Sequence, residues 1–171
     1  MRKIYLNAFI LITIIFITAC SSSDLTKEIS LTTGINFLDG RILKNVDSHG
    51  GFHGDGTTYI EIMFSDKENE SIIRSIENND RWGKLPLTDD LNIALYGKGS
   101  SSQFIGPLVT NDEGKGFFPT VENGYYFFID RYSESKDKKD DTSIINRNSF
   151  NFTIAIYDKD SKTLYYCELD T

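Results

Sequence analysis

The spacing of apolar and polar residues changes several times along this chain, and each change marks an element. From Ile4 to Ile17 an apolar run is broken only by Asn7 and Thr13. Residues 21 to about 30 are then mostly Ser, Asp, Lys and Glu, a composition that predicts a polar tether. A first strand is expected over residues 41–46, bounded by Gly34 and Asp39-Gly40 on one side and a Gly-rich loop, residues 47–56, on the other. In residues 57–64 the two-residue period puts Ile60, Ile62 and Phe64 on one face, which predicts a second strand. Ser65-Asp66-Lys67-Glu68 fits a capping box, so a helix should run to about Asn79 with a thin stripe of Ile72, Ile73 and Ile76. Trp82 and Gly83 are expected to close it, and Thr88-Asp89-Asp90 to cap a second short helix through Leu91, Ala94 and Leu95 that stops at Gly97.

After a loop at residues 98–102 the pattern is all strand: 103–109, 116–121, 124–132, 150–157 and 163–169. The last two should form a hairpin, because Asp158-Lys159-Asp160-Ser161-Lys162 has turn chemistry and a suitable length. The charged stretch 133–148 reads either as a hairpin extended into solvent or as a binding loop. No repeat of 20 to 50 residues appears, which excludes solenoids and propellers. The expected fold is therefore α+β: a mainly antiparallel sheet with two short helices packed on one face, in a single domain over residues 34–171.

The apolar run near the start decides where the chain is expected to work. It follows a basic Met1-Arg2-Lys3 and covers about 14 residues, too few for a hydrocarbon core that needs roughly 20. It ends in Ile17-Thr18-Ala19-Cys20, then Ser21-Ser22-Ser23-Asp24. That ending resembles the lipobox of bacterial lipoprotein precursors. The resemblance implies a signal peptide over residues 1–19, cleavage before Cys20, a diacylglyceryl group on the Cys20 sulfur, an acyl chain such as palmitate on its amino group, and a polar tether over residues 20–33. Two acyl chains anchor a protein stably where one does so only marginally. The implied location is the extracytoplasmic face of the cell membrane, or the outer membrane if the host is Gram-negative. With Cys20 lipidated, Cys167 would be the one remaining thiol, in a strand-like setting that suggests a buried small hydrophobe rather than a nucleophile.

Charge narrows the partners. The 18 Lys and Arg against 25 Asp and Glu give −7, and removal of Arg2 and Lys3 with the signal brings this to −9. The densest basic cluster, Lys136, Lys138 and Lys139, is interleaved with Asp137, Asp140 and Asp141, so a nucleic-acid partner is not expected. A content of 12 Phe, 9 Tyr and 1 Trp excludes wholesale disorder. Tyr125-Tyr126-Phe127-Phe128 fits a central strand filling both faces, or a carbohydrate or peptide platform.

One constellation could carry chemistry. Residues 47–56 hold Asp47, His49, His53 and Asp55 among four glycines. Imidazole and carboxylate could converge on a divalent metal, or one histidine could work as a general acid–base; a wide turn between strands would use the same residues. The stretch also resembles Gly- and His-rich segments of small uncharacterised proteins of Gram-positive bacteria, a resemblance that implies no activity. Nucleotide loops, nucleophile elbows, His-Glu-x-x-His and calcium loops do not occur. The sequence leans away from an enzyme and from a resident cofactor. It points to a lipid-anchored binding or interaction module with a protein partner at the cell surface. Two alternatives stay open: a hydrolase, metal-dependent or acid–base, using the 47–56 loop, and a membrane-tethered inhibitor or immunity protein.

Overall fold

The computed structural model describes residues 24–50, 54–99, 104–111 and 113–171. The signal segment, Cys20 and His53 lie outside the described residues. The fold is α+β, as the pattern predicts, and its centre is a six-stranded antiparallel sheet. In chain order its strands are β1 (Arg41–Asp47), β2 (Gly56–Met63), β3 (Trp82–Lys84), β6 (Gly124–Asp130), β7 (Phe152–Asp158) and β8 (Thr163–Asp170), arranged β1-β2-β8-β7-β6-β3. A separate ribbon pairs β4 (Lys98–Gly99) with β5 (Phe104–Ile105). Helices occupy residues 24–33 (α1), Asp66–Glu77 (α2) and Asp89–Tyr96 (α3). None of the described helices is long and apolar enough to cross a membrane.

Register explains why both faces of the sheet are apolar. One row across it runs Asn45, Ile60, Tyr166, Ala155, Phe127, Trp82, and the next residue along each of β2, β8, β7 and β6 points the other way. The first face buries Ile60, Ile62, Phe64, Tyr125, Phe127, Tyr157, Leu164 and Tyr166 under α1 and α2. The second buries Tyr59, Phe128, Phe152, Ile154, Ile156, Cys167 and Leu169 under α3 and its neighbouring loops. The run Tyr125 to Phe128 thus supplies side chains to both faces, and Tyr125, Phe127 and Phe128 are buried.

The structure differs from the sequence pattern in where the helices lie. The two predicted helices form at their expected caps, with the Ser65–Glu68 capping box complete and Thr88 capping α3. They do not share a face: Ile72 and Ile76 of α2 enter the first core, Leu91 and Leu95 of α3 the second. A strand such as β7, buried at six of its seven positions, needs cover on both sides. The expected tether is also shorter, because residues 24–33 are helical and Thr26, Ile29 and Thr33 are buried. The end of α1 is fixed by donors that reach its last carbonyls: Arg81 Nη2 to Thr32 at 2.6 Å and Trp82 Nε1 to Thr33 at 3.1 Å. Trp82-Gly83 closes no helix but opens β3 on the sheet edge.

The charged stretch 133–148 forms no extended hairpin: residues 136–140 are exposed, but the stretch is tied back to the domain. Asp130 N–H donates to the Lys138 carbonyl at 2.8 Å, Thr88 donates to the Asp141 carboxylate, and Ile144 is buried in the second core. The strand expected over 116–121 reduces to a bridge between Thr110 and Gly116.

Candidate functional site

The 47–56 loop joins β1 to β2 at one corner of the sheet. Antiparallel pairing of Gly56 with Asp170 brings the end of β8 to the same corner. His49 occupies the junction. Its Nδ1 lies 2.7 Å from Asp47 Oδ1 and its Nε2 lies 3.3 Å from Asp170 Oδ2, so the ring bridges the loop to the last strand. The His49 backbone N–H also donates to Asp47 Oδ1 at 3.0 Å, and the Thr58 hydroxyl sits 3.3 Å from Nδ1. Arg131, just beyond β6, donates to both Asp170 oxygens, at 2.8 and 2.9 Å. The result is a chain of alternating charge, Asp47–His49–Asp170–Arg131.

A missing side chain makes room for this. A Cβ on Gly56 would stand 2.5 Å from His49 Cα and 2.6 Å from its nitrogen, so the loop backbone can cross β2 only over glycine. Proton affinities follow the geometry. Hydrogen bonding to the Asp47 carboxylate, with a further contribution from Asp170, outweighs burial and raises His49 above the usual histidine value. Hydrogen bonds from the His49 backbone N–H and then its ring hold Asp47 below the usual carboxylate range. With an acceptor on each nitrogen, both can donate only as the imidazolium.

Such a ring is poorly arranged for the chemistry that the loop's composition suggests. A general base needs a free lone pair facing a substrate proton, and both nitrogens of His49 face carboxylates. A chelate needs ligands converging on one point, whereas Asp47 and Asp170 lie at different nitrogens of the same ring. Among the described residues no group of three or more His, Cys, Asp or Glu is placed to hold a metal ion. Asp55 is exposed, and its carbonyl accepts from Gly50 N–H at 3.4 Å, closing the loop as a turn. Cys167 is fully buried on the second face, and burial pushes its thiol far up, away from the thiolate a nucleophile requires.

Beside the network, under the start of α1, lies a cleft of about 280 Å³. Its floor is Asn45, Asp47, Thr58, Ile60, Tyr166 and Glu168 from the sheet; Leu25, Glu28 and Ile29 form the wall. Three of these residues are acidic and none is basic. The Tyr166 hydroxyl donates to Glu168, which fixes that carboxylate at the cleft's edge. Asp47 and His49 were legible from sequence, but Asp170, Arg131, Glu28 and Glu168 were not. They arrive through long-range strand pairing and through a helix that composition alone reads as tether. The chain matches no protein-family model, no curated protein and no solved structure.

Proposed function

We propose that this chain is a bacterial lipoprotein, anchored through lipid on Cys20 to the extracytoplasmic face of a membrane, whose α+β domain is a non-catalytic binding module. The geometry of His49 carries the non-catalytic half. The one histidine among the described residues has both nitrogens engaged by carboxylates, so it serves the loop's attachment rather than proton transfer. The cleft beside it supports the binding half: Glu28, Asp47 and Glu168 around a partly apolar floor suit a ligand group with positive charge and a short aliphatic part, such as a lysine side chain or another alkyl amine. The anchor rests on the Ile17-Thr18-Ala19-Cys20 motif.

Two experiments test this. Cys20→Ser should release the protein from the membrane fraction and abolish incorporation of labelled palmitate; a variant that stays membrane-bound would sink the anchor. Calorimetric titration of the full chain in detergent with zinc, manganese and calcium should show no micromolar site. Micromolar binding lost in a His49→Ala, His53→Ala double variant would replace the binding module with the metal-dependent hydrolase. An inhibitor or immunity role is less well supported, because its candidate acidic loop, Asp137 to Asp141, though exposed at residues 137–140, carries Lys138 and Lys139 among its three aspartates.

A further inference from the structure

The lipid reading and the position of α1 together restrict how the domain can stand on a membrane. The described chain begins at residue 24, and Leu25 already lines the cleft with Asp47, Thr58 and Glu168. Only four residue steps separate Asp24 from Cys20. Whatever conformation those residues take, covalent geometry limits their reach to about 14 Å. The start of α1 therefore stays within that distance of the Cys20 backbone, and the corner where β1 ends, β2 begins and β8 ends lies just across the cleft that Leu25 lines.

The rest of the sheet extends much farther. At the opposite end of the strands, three strands across from β1, lies the β7–β8 turn, where Asn123 Nδ2 donates to Asp160 at 2.8 Å. Eight residues of strand at about 3.3 Å each, and three interstrand steps of about 4.8 Å from β1 to β7, put the near corner and this turn about 30 Å apart. A tether of about half that length cannot let the domain stand on its far end with the near corner raised by the whole span. Charge works against lying flat, because a domain of about −9 is repelled by an anionic leaflet and should pivot outward about its short attachment.

We infer, on the premise of the lipid anchor proposed above, that the corner bearing Asp47, His49 and Asp170 faces the bilayer and that the β7–β8 turn points away from it. A ligand entering the acidic cleft is then met at the level of the lipid headgroups.

The test uses the full chain, lipidated in a bacterial host and reconstituted into vesicles of phosphatidylglycerol and phosphatidylethanolamine that carry a headgroup acceptor dye. Asp55→Cys and Asp160→Cys, both at exposed positions, each receive the same donor dye. Cys167 is buried and does not compete. Energy transfer should place position 55 nearer the acceptor plane by about 20 Å, most of the distance from the near corner to the turn. Equal transfer from the two sites, or more from position 160, overturns the orientation. Twenty Gly and Ser residues inserted between Ser23 and Asp24, with an r.m.s. reach of about 25 Å, should close most of the gap. An undiminished gap would show that something other than tether length orients the domain, and would overturn the inference. Intact mass separates the two readings: a mature chain without lipid on Cys20 sinks the anchor, whereas a lipidated chain with equal transfer sinks the orientation alone.

Discussion

Asp130 and Arg131 are neighbours at the end of β6, and each takes part in a two-pronged Arg–Asp pair on an opposite face of the sheet. Asp130 accepts from Arg147 at 2.7 and 2.8 Å with side-chain exposures of 2% and 11%. Arg131 grips Asp170 just as closely, but those side chains are 33% and 26% exposed, and Asp47 at the far end of its network is 62% exposed. The same chemistry thus serves two purposes. Burial works to raise the Asp130 pKa, yet the Arg147 hydrogen bonds and the Tyr132 backbone N–H hold it below the usual carboxylate range. The dry pair, with Arg147 also stacked 4.7 Å from the Tyr132 ring centroid, clamps the 133–148 excursion to the domain. The wet network leaves charge accessible at a corner where a ligand could compete for it.

Breaking the dry pair should have the largest effect. Arg147→Met leaves Asp130 buried without a counter-charge, and a loss of about 3–5 kcal/mol is expected in denaturant unfolding. Adding Asp130→Leu should restore most of that stability, since an apolar replacement of both partners removes the orphaned charge. A single-variant loss below about 1 kcal/mol would mean that the pair is as wet as its neighbour.

Gly56→Ala attacks the other side of the comparison. The added methyl must displace the His49 backbone, at an expected cost of about 1–3 kcal/mol. The titration of His49, followed by NMR, should fall back toward the ordinary histidine value; an unchanged titration would show that the loop does not need that glycine. Arg131→Ala should cost about 1 kcal/mol or less, and the difference from wild type should vanish in 1 M salt. The Arg147→Met loss, by contrast, should persist there.

The smallest effect is the pH dependence of the His49 bridge, worth a few tenths of a kcal/mol after solvent screening. Because the folded-state pKa of His49 is raised, its contribution is complete below the unfolded value of 6.5 and is lost as pH rises through the folded one. The stability gap between wild type and His49→Gln should therefore be present at pH 6 and absent well above neutrality. Asp47 behaves in the opposite sense: its contribution is present above 3.8 and disappears as pH falls through its depressed value. A gap that widened above neutrality would contradict the bridge.

Local pattern made some of this legible. The alternation of Ile60, Ile62 and Phe64, the capping box at Ser65–Glu68 and the turn at residues 158–162 are contained within single elements, and all three formed. Helix α1 was missed because Thr26, Ile29 and Thr33 bury a face at helical spacing with one large apolar side chain among them. The placement of α3 was missed because the demand comes from β7, sixty residues farther along. In the site, Asp47 and His49 share a turn, while Asp170 and Arg131 join them through pairings that no short window contains.

The strand order has a further consequence, for folding. β8 is the last strand of the sheet in sequence yet lies third across it, between β2 and β7. Until it is in place, β1 and β2 form a hairpin separated from β6 and β7, and neither face can close over a continuous core. Contacts of such long sequence separation favour slow folding. The chain should remain open, with no folded half, until residues 163–170 are available to join the two parts.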